Sequence, residues 1–190
     1  MASTAPDPSI RGYVAYRPMA EQNVVRMDPD TMLAVDKLTV INTGADTVSD
    51  TELDLRAGGI FTNVKKMSAS SQYLIKFPNG VAGIRGSCGY FRLVSFKMAN
   101  SGATMIAPSV YMITGTAVIS IAGPNGVPIT LSIPAGFQYN TTTGQISHLS
   151  PVLVALLQAF RSDAETIVSQ LVITAQDLTN THPSPTQGTH

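Results

Sequence analysis

The chain has 190 residues, twelve basic and twelve acidic, and only 13% of them are charged. One cysteine excludes an internal disulfide, and Cys88 with the scattered His148, His182 and His190 offers no metal-ligating set, so neither metal nor cofactor is expected. Soluble domains carry ~25% charge, so a chain this poor in charge is expected to cover part of its surface with partners.

Residues 1–11 (MASTAPDPSIR) are small, polar and proline-containing, and read as an extended N-terminal arm. Residues 12–179 read as a single mainly-β domain with a C-terminal helical segment at about 151–179. Residues 12–34 are mixed in pattern, with a turn or helix start at Met27-Asp28-Pro29-Asp30-Thr31. Lys37 to Ile41 is a short strand ended by Asn42-Thr43-Gly44. Thr51 to Arg56 alternates strictly, with Leu53 and Leu55 on one face and Glu52, Asp54 and Arg56 on the other, and Gly58-Gly59 stops it.

Gln72 to Phe77 is a strand before the turn Pro78-Asn79-Gly80. Gly80, Gly83, Gly86 and Gly89 suggest a tight irregular loop where backbones approach closely. Strands follow at Tyr90–Met98, Met105–Thr114, Thr116–Ala122 and Pro128–Ile133, with a second turn at Pro124-Asn125-Gly126. Phe137–Tyr139 and Gln145–Leu149 flank a hairpin-like loop at Asn140 to Gly144. Short strands recurring about every ten residues predict an antiparallel β-sandwich or barrel, a jelly roll among the options.

Beyond Ser150 the period changes. Ser150 suits an N-cap and Pro151 the first helical position. Ser162-Asp163-Ala164-Glu165 matches a capping box, where a second helix could start. Leu153, Leu157, Phe160, Ala164, Ile167, Leu171, Ala175 and Leu178 form one apolar stripe on a helix ~40 Å long. The favoured partner for that stripe is the chain's own sheet; Leu153, Leu157, Phe160, Ile167 and Leu171 are otherwise candidates for assembly contacts. Leu171 to Thr174 is β-branched enough to be a strand instead. Residues 180–190 (NTHPSPTQGTH) read as a polar tail.

No reaction centre emerges. There is no Gly-x-Ser-x-Gly elbow, no Walker pattern, and Cys88 would need His148 as its base. Glu52, Asp54 and His148 are the best remaining residues for an enzyme, and the expectation is no enzyme. Asp50, Glu52 and Asp54 share one strand face, which a hard cation could use, but Arg56 on that face favours a solvated strand. No run reaches the ~20 apolar residues of a membrane helix, and the first residues lack the basic start and apolar core of a signal peptide.

The placement of charge is uneven. Residues 1–54 hold nine acids and four bases, residues 55–162 hold eight bases and no acid, and residues 163–190 hold three acids and no base. Lys65, Lys66, Lys76, Arg85, Arg92 and Lys97, with Tyr73, Phe77, Tyr90 and Phe91 among them, are candidates to face nucleic acid or a protein partner. The favoured reading is that acidic segments dock on the basic body of the same chain or of another copy. A β body, polar ends, scarce charge and segregated signs suit a virion structural protein, such as a small coat, capsid decoration or tail component. It would act by homo-oligomeric packing, be made in the host cytoplasm, and have other virion proteins as partners and no membrane. The alternative is a carbohydrate-binding or adhesion β-sandwich module, for which the absence of Trp makes a poor sugar platform.

Overall fold

The computed structural model describes residues 13–16, 23–44, 46–97, 102, 104–122 and 127–180, with backbone alone for 13–16, 96 and 167–180. The expected arm 1–11, the Pro124-Asn125-Gly126 turn and residues 181–190 lie outside the described residues. Among these described residues, thirteen strands and one helix follow in chain order. The strands are β1 (Tyr13–Tyr16), β2 (Asn23–Met27), β3 (Met32–Asn42), β4 (Thr47–Ala57), β5 (Gly59–Asn63), β6 (Gln72–Phe77) and β7 (Gly80–Ile84). They continue with β8 (Cys88–Lys97), β9 (Thr104–Thr114), β10 (Thr116–Ala122), β11 (Pro128–Pro134), β12 (Phe137–Asn140) and β13 (Gln145–His148), before α1 (Pro151–Asn180).

Two sheets pack face to face as a sandwich, not a closed barrel. One has seven strands in the order β1-β2-β5-β8-β9-β12-β13, and the other six in the order β11-β10-β7-β6-β4-β3. All strand pairs are antiparallel except β4 with β6, which is parallel and departs from the expected all-antiparallel pattern. The core between the sheets is built by alternation. Leu53 and Leu55 of β4, Ile75 of β6, Ile60 of β5, Phe91 of β8 and Val110 and Met112 of β9 all point inward and are buried.

α1 forms a third layer on the far face of the seven-stranded sheet. Ser150 caps it as expected, its Oγ accepting the Leu153 amide at 3.3 Å. Leu157 and Ala164, with Leu153 and Phe160 partly buried beside them, pack on Val24, Phe61 and Cys88. The Phe160 ring meets Phe61 edge-on at 5.9 Å, and the Arg26 guanidinium lies 4.0 Å from the Phe160 centroid. The helix is one element: no second helix starts at Ser162, and Leu171 to Thr174 is helical. Three β-branched residues in a stretch of four cannot override a helix already propagating from a capped and packed first half.

The glycine-rich segment is two strands and a turn, not an irregular loop. Gly80 and Gly83 lie in β7, and only Gly86 takes a left-handed turn (φ 58°). Close approach is real at Gly80, where a Cβ would come within 2.2 Å of the Ser120 carbonyl oxygen. Likewise Gly58 (φ 78°) ends β4, while Gly59 opens β5 and carries the chain into the other sheet.

Candidate functional site

Among the described residues the strand β3 sits at the edge of the six-stranded sheet and pairs with β4 alone. It has 11 residues, from Met32 to Asn42. Sequence patterning showed only its C-terminal half, Lys37 to Ile41, because Met32 to Val35 reads as an apolar run without alternation. Its register slips between Val35 and Lys37, which leaves Asp36 as a bulge. Beyond the bulge, Leu38 lies opposite Thr51, Thr39 opposite Asp50, Val40 opposite Ser49 and Ile41 opposite Val48.

The turn that follows sets the phase of this ladder. The Thr43 amide donates to the Asp46 carbonyl at 2.9 Å. Hydrogen-bonded pairs alternate along an antiparallel ladder. Ile41, Thr39 and Lys37 therefore spend their backbone groups on β4, while Asn42, Val40 and Leu38 turn theirs outward from the sheet. The side chains are exposed as well: Met32 is 60% exposed, Val35 52%, Leu38 39%, Val40 39% and Ile41 60%. Leu38 and Val40 share a face with the inward residues Thr51 and Ser49. Thr39 and Ile41 share the opposite, outer face with Val48 and Asp50, beside a groove of about 670 Å3 that Lys37 and Gln72 also line.

Next to this tip the outer face of the sheet carries an ion-pair ladder. Lys37 pairs with Asp50, Lys76 with Glu52, and Arg56 with Asp54 at 2.7 Å, while Lys76 also lies 3.5 Å from Asp36. The hydrogen bond and charge of Asp50 hold the Lys37 ammonium above its ordinary pKa, and Glu52 does the same to Lys76. Asp50, Glu52 and Asp54 do share one face, as their alternation predicts, and each has a cation beside it.

The six basic candidates do not form one surface. Lys76 belongs to the ladder just described. Arg85 donates to the carbonyls of Ala69 (2.8 Å) and Ser71 (3.1 Å). Lys65 and Lys66 follow β5, Arg92 lies mid-way along β8, and Lys97 ends β8. The aromatics between them are not a stacking platform: Tyr73, Phe77 and Phe91 are core residues and Tyr90 is half-buried, donating to the Asp28 carboxylate. Of the helix candidates, Leu157 is buried and Leu153 and Phe160 partly so, all against the chain's own sheet, while the side chains of Ile167 and Leu171 lie outside the described residues. Cys88 faces the helix layer, and burial pushes its thiol up to about 12. His148 stacks on Phe137, which packs against the core between the sheets, so these two residues serve opposite faces of the seven-stranded sheet.

No family model matches the sequence, and no curated protein matches it. Among solved structures, two crystal structures of a "putative anti-sigma factor" from Parabacteroides distasonis are similar. The first is 13% identical with a TM-score of 0.43, covering 73% of this chain and 56% of that one. The second is 12% identical with a TM-score of 0.43, covering 74% and 60%. The chain thus spans less than two thirds of those chains. Neither is a virion protein, and the expectation of a coat, decoration or tail component is withdrawn on this finding. What stands is the coarser statement: a β-sandwich with a C-terminal helix.

Proposed function

We propose that the chain is a non-enzymatic protein-interaction module that takes up an extended polypeptide strand along the outward edge of β3. The observation that carries this reading is the combination at Leu38 and Val40 of outward backbone groups with exposed aliphatic side chains. Added strands gain affinity from main-chain hydrogen bonds and selectivity from alternate side chains. Here Leu38 and Val40 would read one face of the incoming strand, and Thr39, Ile41 and the groove beside them the other.

Other edges are blunted. β11 begins at Pro128 and ends at Pro134, and β1 and β13 have 4 residues each. β3 has its bulge and Lys37 near the middle but no charge and no proline from Leu38 to Asn42. The sugar-binding alternative lacks support, since no Tyr or Phe side chain among the described residues is exposed.

Val40→Pro tests the reading. It deletes one outward N–H and no bond to β4, so the sandwich keeps its ladder. A library of displayed random dodecapeptides is selected on the wild-type chain, and the enriched peptides are measured by fluorescence anisotropy on both proteins. Binders that lose about tenfold in affinity on Val40→Pro support strand docking. Equal binding to both proteins, or no enrichment, refutes it.

A further inference from the structure

We infer that the strand which occupies the β3 edge is β3 of a second copy, paired antiparallel about a two-fold axis at Thr39. This rests on the strand-docking reading and names its occupant. The argument is one of register. A two-fold axis between identical antiparallel strands must place some residue opposite itself. The central outward residues Leu38 and Val40 must also face outward residues of the other copy, since only such residues have backbone groups to exchange.

Few centres satisfy both conditions, and side-chain chemistry separates them. A centre at Lys37 sets two ammonium groups directly opposite each other, which is destabilising. A centre at Leu38 sets Val40 against the bulged Asp36. A centre at Val40 sets Leu38 against Asn42, and one at Ile41 runs into the turn. A centre at Thr39 matches both aliphatic outward residues and leaves only Asn42, at the end of the ladder, against the bulged Asp36. Leu38 faces Val40 of the second copy and Val40 faces its Leu38, each pair exchanging both backbone hydrogen bonds. Thr39 faces Thr39, a favourable cross-strand pair. Ile41 faces Lys37, whose aliphatic stem lies along it while its ammonium stays with Asp50. The two Lys37 side chains are then four residues apart along the ladder, ~13 Å, beyond a Debye length in physiological salt.

Thr39→Cys and Leu38→Cys test the register, and the buried Cys88 does not compete with either. At a non-hydrogen-bonded self-pair the Cα atoms stand ~4.5 Å apart, within disulfide reach. Under mild oxidation Thr39→Cys is expected to form a covalent dimer several times faster than Leu38→Cys, whose partner position is Val40. Analytical ultracentrifugation of the unmodified chain is expected to show a monomer–dimer equilibrium. Val40→Pro should weaken it about a hundredfold, because the lost N–H counts once in each copy. Equal cross-linking of the two cysteine variants, or a wild-type chain that stays monomeric to millimolar concentration, overturns the inference. If the chain is monomeric while library peptides still bind in a Val40→Pro-sensitive way, only the occupant is wrong. If those peptides also fail, strand docking falls with it.

Discussion

Leu156 and Leu157 are neighbours on α1 with opposite surroundings, and truncating each separates the helix's packing from its mere presence. Leu157 is 2% exposed and sits among Val24, Phe61, Cys88 and Leu149; Leu156 is 48% exposed. Leu157→Ala removes buried methyl groups from a layer pinned on one side by a sheet that cannot collapse into the void. A Leu→Ala change at such a site costs roughly 3 kcal/mol, within the usual range of ~2–5. For a chain of this length that lowers Tm by about 6–12 °C. Leu156→Ala exchanges one exposed helix former for a better one and should stay within ~0.5 kcal/mol of wild type. Urea denaturation followed by helical circular dichroism measures both, with the slope of the transition as a check that the exposed surface is unchanged. Similar costs for the two variants, or a Leu157→Ala loss below ~1 kcal/mol, would refute the docking of α1 described above.

The remaining expectations concern titration and reactivity. Burial holds the hydroxyls of Tyr73, Tyr90 and Tyr139 protonated above their ordinary range, and the Asp28 carboxylate adds to this at Tyr90. The unfolded chain releases these protons first, near pH ~10, so the stabilisation is complete below that pH and is lost as pH rises through the folded values. Urea midpoints should therefore be level from pH 7 to 8, begin to fall near pH 9 as the unfolded Cys88 thiol ionises, and fall further between pH 10 and 12, less steeply there in Tyr90→Phe; a midpoint that rises there contradicts the burial. Cys88, buried beneath α1, should be inert to a thiol reagent at pH 8 in the native protein and react at once in urea; fast native labelling would place it elsewhere.

Much of the fold was legible in the sequence because its causes are local. Leu53 and Leu55 alternate with acids, so the inward face of β4 could be read directly. Ser150-Pro151 and the stripe from Leu153 to Ala164 placed the helix and its buried side. The misses have a common physical origin. β2 is buried on both faces, so Asn23 to Met27 shows no alternation. β7 is glycine-rich because β10 approaches it closely, and glycine from sequence alone reads as a break. The parallel β4–β6 pair depends on the chain leaving one sheet at Gly58, crossing through β5, and returning at Gln72, which no local pattern encodes.

The candidate site was invisible for a further reason: it is defined by what is missing beside it among the described residues, an outer neighbour for β3. The charge partition points towards it indirectly. β3 and β4 come from the acidic segment, while β6 comes from the run of residues 55–162 that has no acid. Parallel pairing of β4 with β6 sets Asp54 opposite Lys76 in the ladder, and Lys76 reaches Glu52 and Asp36. Complementary charge thus lies along a register that the inward alternation of Leu53, Leu55 and Ile75 sets. Those pairs occupy the bulge side of β3 and its outer face, where Lys37 marks their limit. From Leu38 to Ile41 no charge remains to repel an incoming strand. The outer face of the sheet therefore carries paired charge up to Lys37 and none beyond it on β3, and the proposed strand addition rests on that asymmetry.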